Sequence, residues 1–176
     1  MFLKLLHKLL DLIDIVIQKD YYGFIQGHSY IKKKTIDKIK NNNSNLLVRN
    51  FENKFSSLIG DGDTTSFASA RMCFYAVMKA IGIKEKDEVI LNGSTCAVMV
   101  NAVIRIGAIP VFSDISPITF GSCPEGIKQV LTSKSKLIVA QHSFGIPCEI
   151  NKIRELAKSK NIFLLEDCAL SVGSKY

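Results

Sequence analysis

The sequence lacks the cysteine and histidine patterns that bind zinc and stitch secreted folds. Its five cysteines (Cys73, Cys96, Cys123, Cys148 and Cys168) are scattered with no C-x-x-C pair, and its three histidines (His7, His28 and His142) do not cluster beside them. That spacing argues against a zinc site. A chain of 176 residues has a core to rely on, so a disulfide framework is not expected either. Free thiols in a reducing cytoplasm suit this usage. There is no G-x-G-x-x-G and no Walker A pattern, which disfavours nicotinamide dinucleotides and ATP. No internal repeat shows itself. No apolar run approaches the roughly 18 residues that span a bilayer. No small-residue cleavage site follows the apolar opening, so no signal peptide is expected.

Acidic residues are fewer than basic ones, giving a net charge of +7. A basic surface suits nucleic acid or an anionic membrane. Lys32, Lys33 and Lys34 form the only run of three, however, and no aromatics interleave a basic stripe. A solvated lysine-rich surface, with no nucleic-acid partner, is the expectation. With 47% hydrophobic and 22% charged residues, the composition is that of a globular domain, not of a disordered chain. In the opening MFLKLLHKLLDLIDIVIQKD, polar residues Lys4, His7, Lys8, Asp11, Asp14 and Gln18 recur at helical steps. A helix packed on a protein surface is the first reading of this stretch, and a helix lying on a membrane the second.

Residues 1–45 read as an N-terminal helical segment, with a loop marked by Asn41 to Asn45. Phe51, Phe55, Leu58 and Ile59 lie at helical spacing and stop at Gly60; Asp61-Gly62-Asp63 reads as a turn. Beyond it the pattern is regular. Strands are expected at 64–68, 88–91, 109–113, 136–140 and 162–165. Helices are expected at 69–81, 94–106, 124–132 and 149–160. Short apolar runs alternating with amphipathic helices imply βαβ units, an α/β fold with a mostly parallel sheet. In such sheets ligands bind beyond the carboxyl ends of the strands.

Four junctions therefore draw notice. At Phe67-Ala68-Ser69-Ala70-Arg71, Ser69 is a good N-cap and the free N–H groups of the helix start can take an anion such as phosphate; a plain capped helix is the alternative. Glu166 and Asp167 end an apolar strand, able to hold a cation, a metal or a protonated ring nitrogen, or simply to cap and be exposed. His142, in Gln141-His142-Ser143-Phe144-Gly145, is a packed residue or a site residue. Cys96, in Gly93-Ser94-Thr95-Cys96, is a structural thiol or one activated by a helix start.

Together these segments resemble the DegT/StrS family of nucleotide-sugar aminotransferases, fold type I enzymes that use pyridoxal 5'-phosphate (PLP). The resemblance runs from about Leu46 to Tyr176. It rests on FASARMCFYAVMKAIGIKEKDEVIL, STCAVMVNAVIRIGAIPVFSDIS, SKLIVAQHSFGIPCEINKIRELAKSKNIF and LLEDCALSVGSKY, in that order. It implies a three-layer αβα fold, with residues 46–176 as an incomplete PLP-transferase large domain. It implies amino transfer from a donor such as glutamate to a nucleotide-linked keto-sugar, by a cytoplasmic homodimer.

By position, the resemblance gives Ser69, Ala70 and Arg71 to the PLP phosphate and Asp167 to the pyridine nitrogen. Cys96 falls where a side chain lies over the ring, and His142 at a supporting place near it. Cys96 replaces what is often an aromatic. Leu170 stands where the family usually has a polar contact to the ring hydroxyl. The family's Schiff-base lysine lies well past Asp167, and Lys175 comes too early in the pattern to be it. The expectation is thus a truncated chain, inactive alone or a non-catalytic remnant or binding fragment, with a half-built sheet prone to self-association.

Overall fold

The computed structural model describes residues 33–40, 43–60 and 62–174. The amphipathic opening and Lys175 lie outside them. The chain divides into two compact units between Ser56 and Ser57. The first holds α1 (Lys33–Lys40) and most of α2 (Ser44–Ile59). The asparagine-rich loop is shorter than the sequence suggests. Asn43 caps α2, its Oδ1 accepting the backbone N–H of Asn45 at 3.0 Å, so the helix starts at Ser44. Phe51 and Phe55, one turn apart, set their rings 5.9 Å from each other.

The second unit is built in the order α3 (Ala70–Ala80), β1 (Glu88–Asn92), α4 (Ala97–Arg105), β2 (Ile109–Ser113), α5 (Pro124–Val130), β3 (Ser135–Gln141), α6 (Ile150–Lys160) and β4 (Phe163–Asp167). All four strands are parallel, in the spatial order β2-β1-β3-β4. Central strands β1 and β3 are covered on both faces, which is why they read as unbroken apolar runs. Val89, Leu91, Leu137 and Val139 point to one face, against Phe74 and Met78 of α3 and Met99 and Val103 of α4. Ile90, Ile138 and Ala140 point to the other, against Ile127 of α5 and Ile150 and Ile153 of α6. The result is three layers.

The expected strand at 64–68 is not formed. In Thr64-Thr65-Ser66-Phe67-Ala68 only the last two residues are apolar, and a strand needs a partner and a buried face more than it needs threonine. Asp61-Gly62-Asp63 is described only in part, Gly62 lying in a bend. Helix α4 is shorter at its start than expected. Asn92 takes the backbone N–H and the hydroxyl of Ser94 on its Oδ1, both at 2.8 Å, and this turn delays the helix to Ala97. At its other end α4 closes on Gly107, whose φ of +84° is the left-handed turn anticipated there.

Candidate functional site

The strand order fixes where a ligand can sit. From β1 the chain goes to one side for β2, then returns to the other for β3 and β4, so the helices part beyond the carboxyl ends of β1 and β3. There a recess of about 220 Å³ is lined by Cys96, Gln141, His142, Asp167, Ala169 and Leu170. Cys96, His142, Asp167 and Leu170, all singled out in sequence, thus meet.

Asp167 closes β4, level with Gln141 of β3 in the parallel register. It is half-buried. Its Oδ1 accepts the backbone N–H of Ala169 at 3.1 Å, while Oδ2 has no hydrogen-bond partner among the described residues. A carboxylate with one oxygen fixed and the other open on a recess is suited to a ring N–H⁺. Cys96 is the N-cap residue of α4, makes no capping bond with its side chain, and is exposed. Leu170 is 67% exposed and offers the recess only an apolar surface.

His142 is more tightly held than its sequence context suggests. Only 4% exposed, it takes the backbone N–H of Cys148 on Nδ1 at 3.1 Å and lies 3.3 Å from Oε2 of Glu166 at Nε2. Its ring is therefore engaged at both nitrogens. Glu166 also stands 3.7 Å from Arg154 of α6. The two adjacent acids do different work because successive strand residues leave the sheet on opposite faces. Behind the recess, Gly145 packs against the segment after β4: a Cβ there would come within 2.9 Å of the carbonyl oxygen of Leu170.

Ser69, Ala70 and Arg71 do not line this recess. Ser69 caps α3, its Oγ accepting the N–H of Met72 at 3.3 Å, and all three residues are exposed. Arg71 borders a second cavity, of about 420 Å³, with Arg105, whose guanidinium lies 5.5 Å from the Tyr75 ring centre. Sequence reasoning passed over two residues, Gln141 as a wall of the recess and Glu166 as the partner of His142. The strand β4 reads Leu-Leu-Glu-Asp at its end, and its alternation is the signal that separates the two acids.

Residues 33–176 match the family model described as the DegT/DnrJ/EryC1/StrS aminotransferase family. The chain belongs to this family. GDP-perosamine synthase of Escherichia coli O157:H7 is 39% identical over 129 residues, which are 73% of this chain and 35% of that protein. The aminotransferase from Psychrobacter cryohalolentis superposes with a TM-score of 0.77 at 31% identity, over 89% of this chain and 40% of its own. NtdA from Bacillus subtilis, solved with its cofactor PMP bound, shares the fold with a TM-score of 0.71 at 22% identity, over 89% of this chain and 41% of its own. The chain thus spans about a third of the length of the curated relatives it matches. Among the described residues no helix is long and apolar enough to cross a membrane.

Proposed function

We propose that the protein transfers an amino group, from a donor such as glutamate, to a keto-sugar carried on a nucleotide. The product would feed polysaccharide or amino-sugar synthesis in the cytoplasm, and the working assembly is a homodimer. The observation that carries this reading is the open oxygen of Asp167 on the recess at the strand ends. The names of its relatives, GDP-perosamine synthases among them, support the substrate class.

The residues present suit PLP, which supplies an electron sink for the carbon that loses its proton. Asp167 would hold a proton on the ring nitrogen by its charge. Cys96, at the start of α4 and on the recess, would offer the ring a softer and smaller surface than an aromatic. At the start of α3, the Ser69 hydroxyl keeps its own proton free to donate to phosphate, while its oxygen caps Met72. The unpaired N–H groups of that first turn add to it, beside Ala70 and Arg71. His142, held at both nitrogens, would support the site from the recess wall.

No lysine is among the described residues that line the recess. On this reading the described recess offers no amine to join the cofactor or move the substrate proton, and the chain alone is inactive. The test is to incubate the pure chain with PLP, glutamate and a GDP-linked keto-sugar and weigh the sugar product by mass spectrometry. No amino-sugar is expected from the chain alone, and amino-sugar is expected once the lysine-bearing segment of a family relative is supplied. Turnover by the pure chain contradicts its inactivity; none in the combined sample, across nucleotide keto-sugars, contradicts the function.

The apolar Leu170 on the recess favours a second reading, a remnant or binding fragment that keeps the fold without catalysis. That reading predicts no PLP binding even in the combined sample.

A further inference from the structure

β4 ends in two acids whose side chains part to opposite faces of the sheet. Asp167 goes to the recess described above. Glu166 goes to the α5–α6 side, where it borders a separate cavity of about 60 Å³ with His142 and Cys168. The sulfur, carboxylate and imidazole atoms of these three lie within 4.8 Å of one another, a donor set with the chemistry of a metal site.

The bonding of His142 excludes that use. Nδ1 accepts the N–H of Cys148, so it carries no proton, and the hydrogen-bond network puts the ring proton on Nε2. Nε2 then donates to Glu166 and has no lone pair left for a metal. Oε1 of Glu166 is in turn 3.7 Å from Arg154. The backbone N–H of His142 donates to the carbonyl oxygen of Asp167 at 3.3 Å. A continuous path thus runs from α6 through Glu166 and the imidazole to the peptide that carries the recess carboxylate.

We infer that Glu166 is a positioning residue: it sets the His142 ring by accepting the Nε2 proton, and His142 in turn fixes the strand end from which Asp167 faces the cofactor. This rests on the PLP reading given above. Ala169 supplies a built-in reporter, because its N–H donates to Oδ1 of Asp167 and protects from exchange only while that carboxylate keeps its orientation.

The experiment compares the full chain with Glu166→Gln and Glu166→Leu. Glutamine still presents an oxygen to the Nε2 proton; leucine fills similar space and cannot accept. Amide exchange at His142 and Ala169 is read by NMR, together with the ¹⁵N shifts of the His142 ring and the dissociation constant for PLP from absorbance titration. The wild-type ring should show an unprotonated Nδ1. Glu166→Leu should speed exchange at both amides and weaken PLP binding about tenfold, the size of one lost hydrogen bond to a charged group. Glu166→Gln should restore both to within about threefold of wild type.

A protonated Nδ1, or equal effects of leucine and glutamine, overturns the inference. So does faster exchange in Glu166→Leu with PLP affinity unchanged, which would leave Glu166 a merely structural partner. Failure of the wild-type chain to bind PLP at all removes the cofactor reading itself, and the positioning role with it; the exchange data identify that case separately.

Discussion

At the scale of residues, the central claim concerns Asp167. Asp167→Asn keeps the shape and removes the charge that favours a protonated ring nitrogen, so PLP affinity should fall about tenfold or more. An unchanged titration would take Asp167 out of the site. Cys148 supports a second prediction. Burial, with the nearby charge of Glu166, pushes its thiol up from 9.0 to about 11. Below the lower value both folded and unfolded chains hold the proton, and pH has no leverage. Between about 9 and about 11 the unfolded chain loses it while the folded chain keeps it, so stability falls as pH rises. Urea unfolding across that window should show the fall, and Cys148→Ala should show less of it.

The residues that line the recess were legible in unequal measure. Asp167 and Cys96 stood out because both follow apolar strands, where open α/β sheets bind ligands. The partners of His142 were not legible: Glu166 lies 24 residues on, and the Cys148 amide is a backbone group that no residue pattern marks.

At the scale of elements, the central strands and the helices that cover them were plain from apolar runs and periodicity. β2, with its ends at Ile109 and Ser113, falls where expected because Gly107 sets the turn before it. The segment 64–68 misled because threonine's preference for strands counts only where a neighbouring strand exists. Local contacts fix helix starts, and the Asn92–Ser94 turn shows how one side chain moves a boundary.

Gly145 tests how the loop after β3 supports the site. With a φ of +78° and a backbone oxygen where a side chain would go, Gly145→Ala should cost about 1–3 kcal/mol and loosen the Leu170 segment. Chemical denaturation gives the first, and exchange at Ala169 the second; a fully stable variant would mean that the close approach is not needed.

At the scale of the molecule, the sheet has open flanks among the described residues. β2 and β4 each pair on one side only. Phe112 is 49% and Phe163 54% exposed on these strands, and Leu170 adds to the apolar surface beyond β4. Parallel edges with exposed aromatics recruit further strands or other chains. The isolated chain should self-associate as its concentration rises, by sedimentation velocity. A monodisperse monomer with one cooperative melt would contradict this.

The most direct measurement is a PLP titration of the pure chain, followed by borohydride reduction and mass analysis, on wild type and Asp167→Asn. The account predicts saturable binding that the asparagine weakens, with no single lysine stoichiometrically fixed to the cofactor. A lysine fixed one-to-one would contradict the proposal that the recess has no amine for the cofactor, and equal binding by both proteins would contradict the proposed role of Asp167.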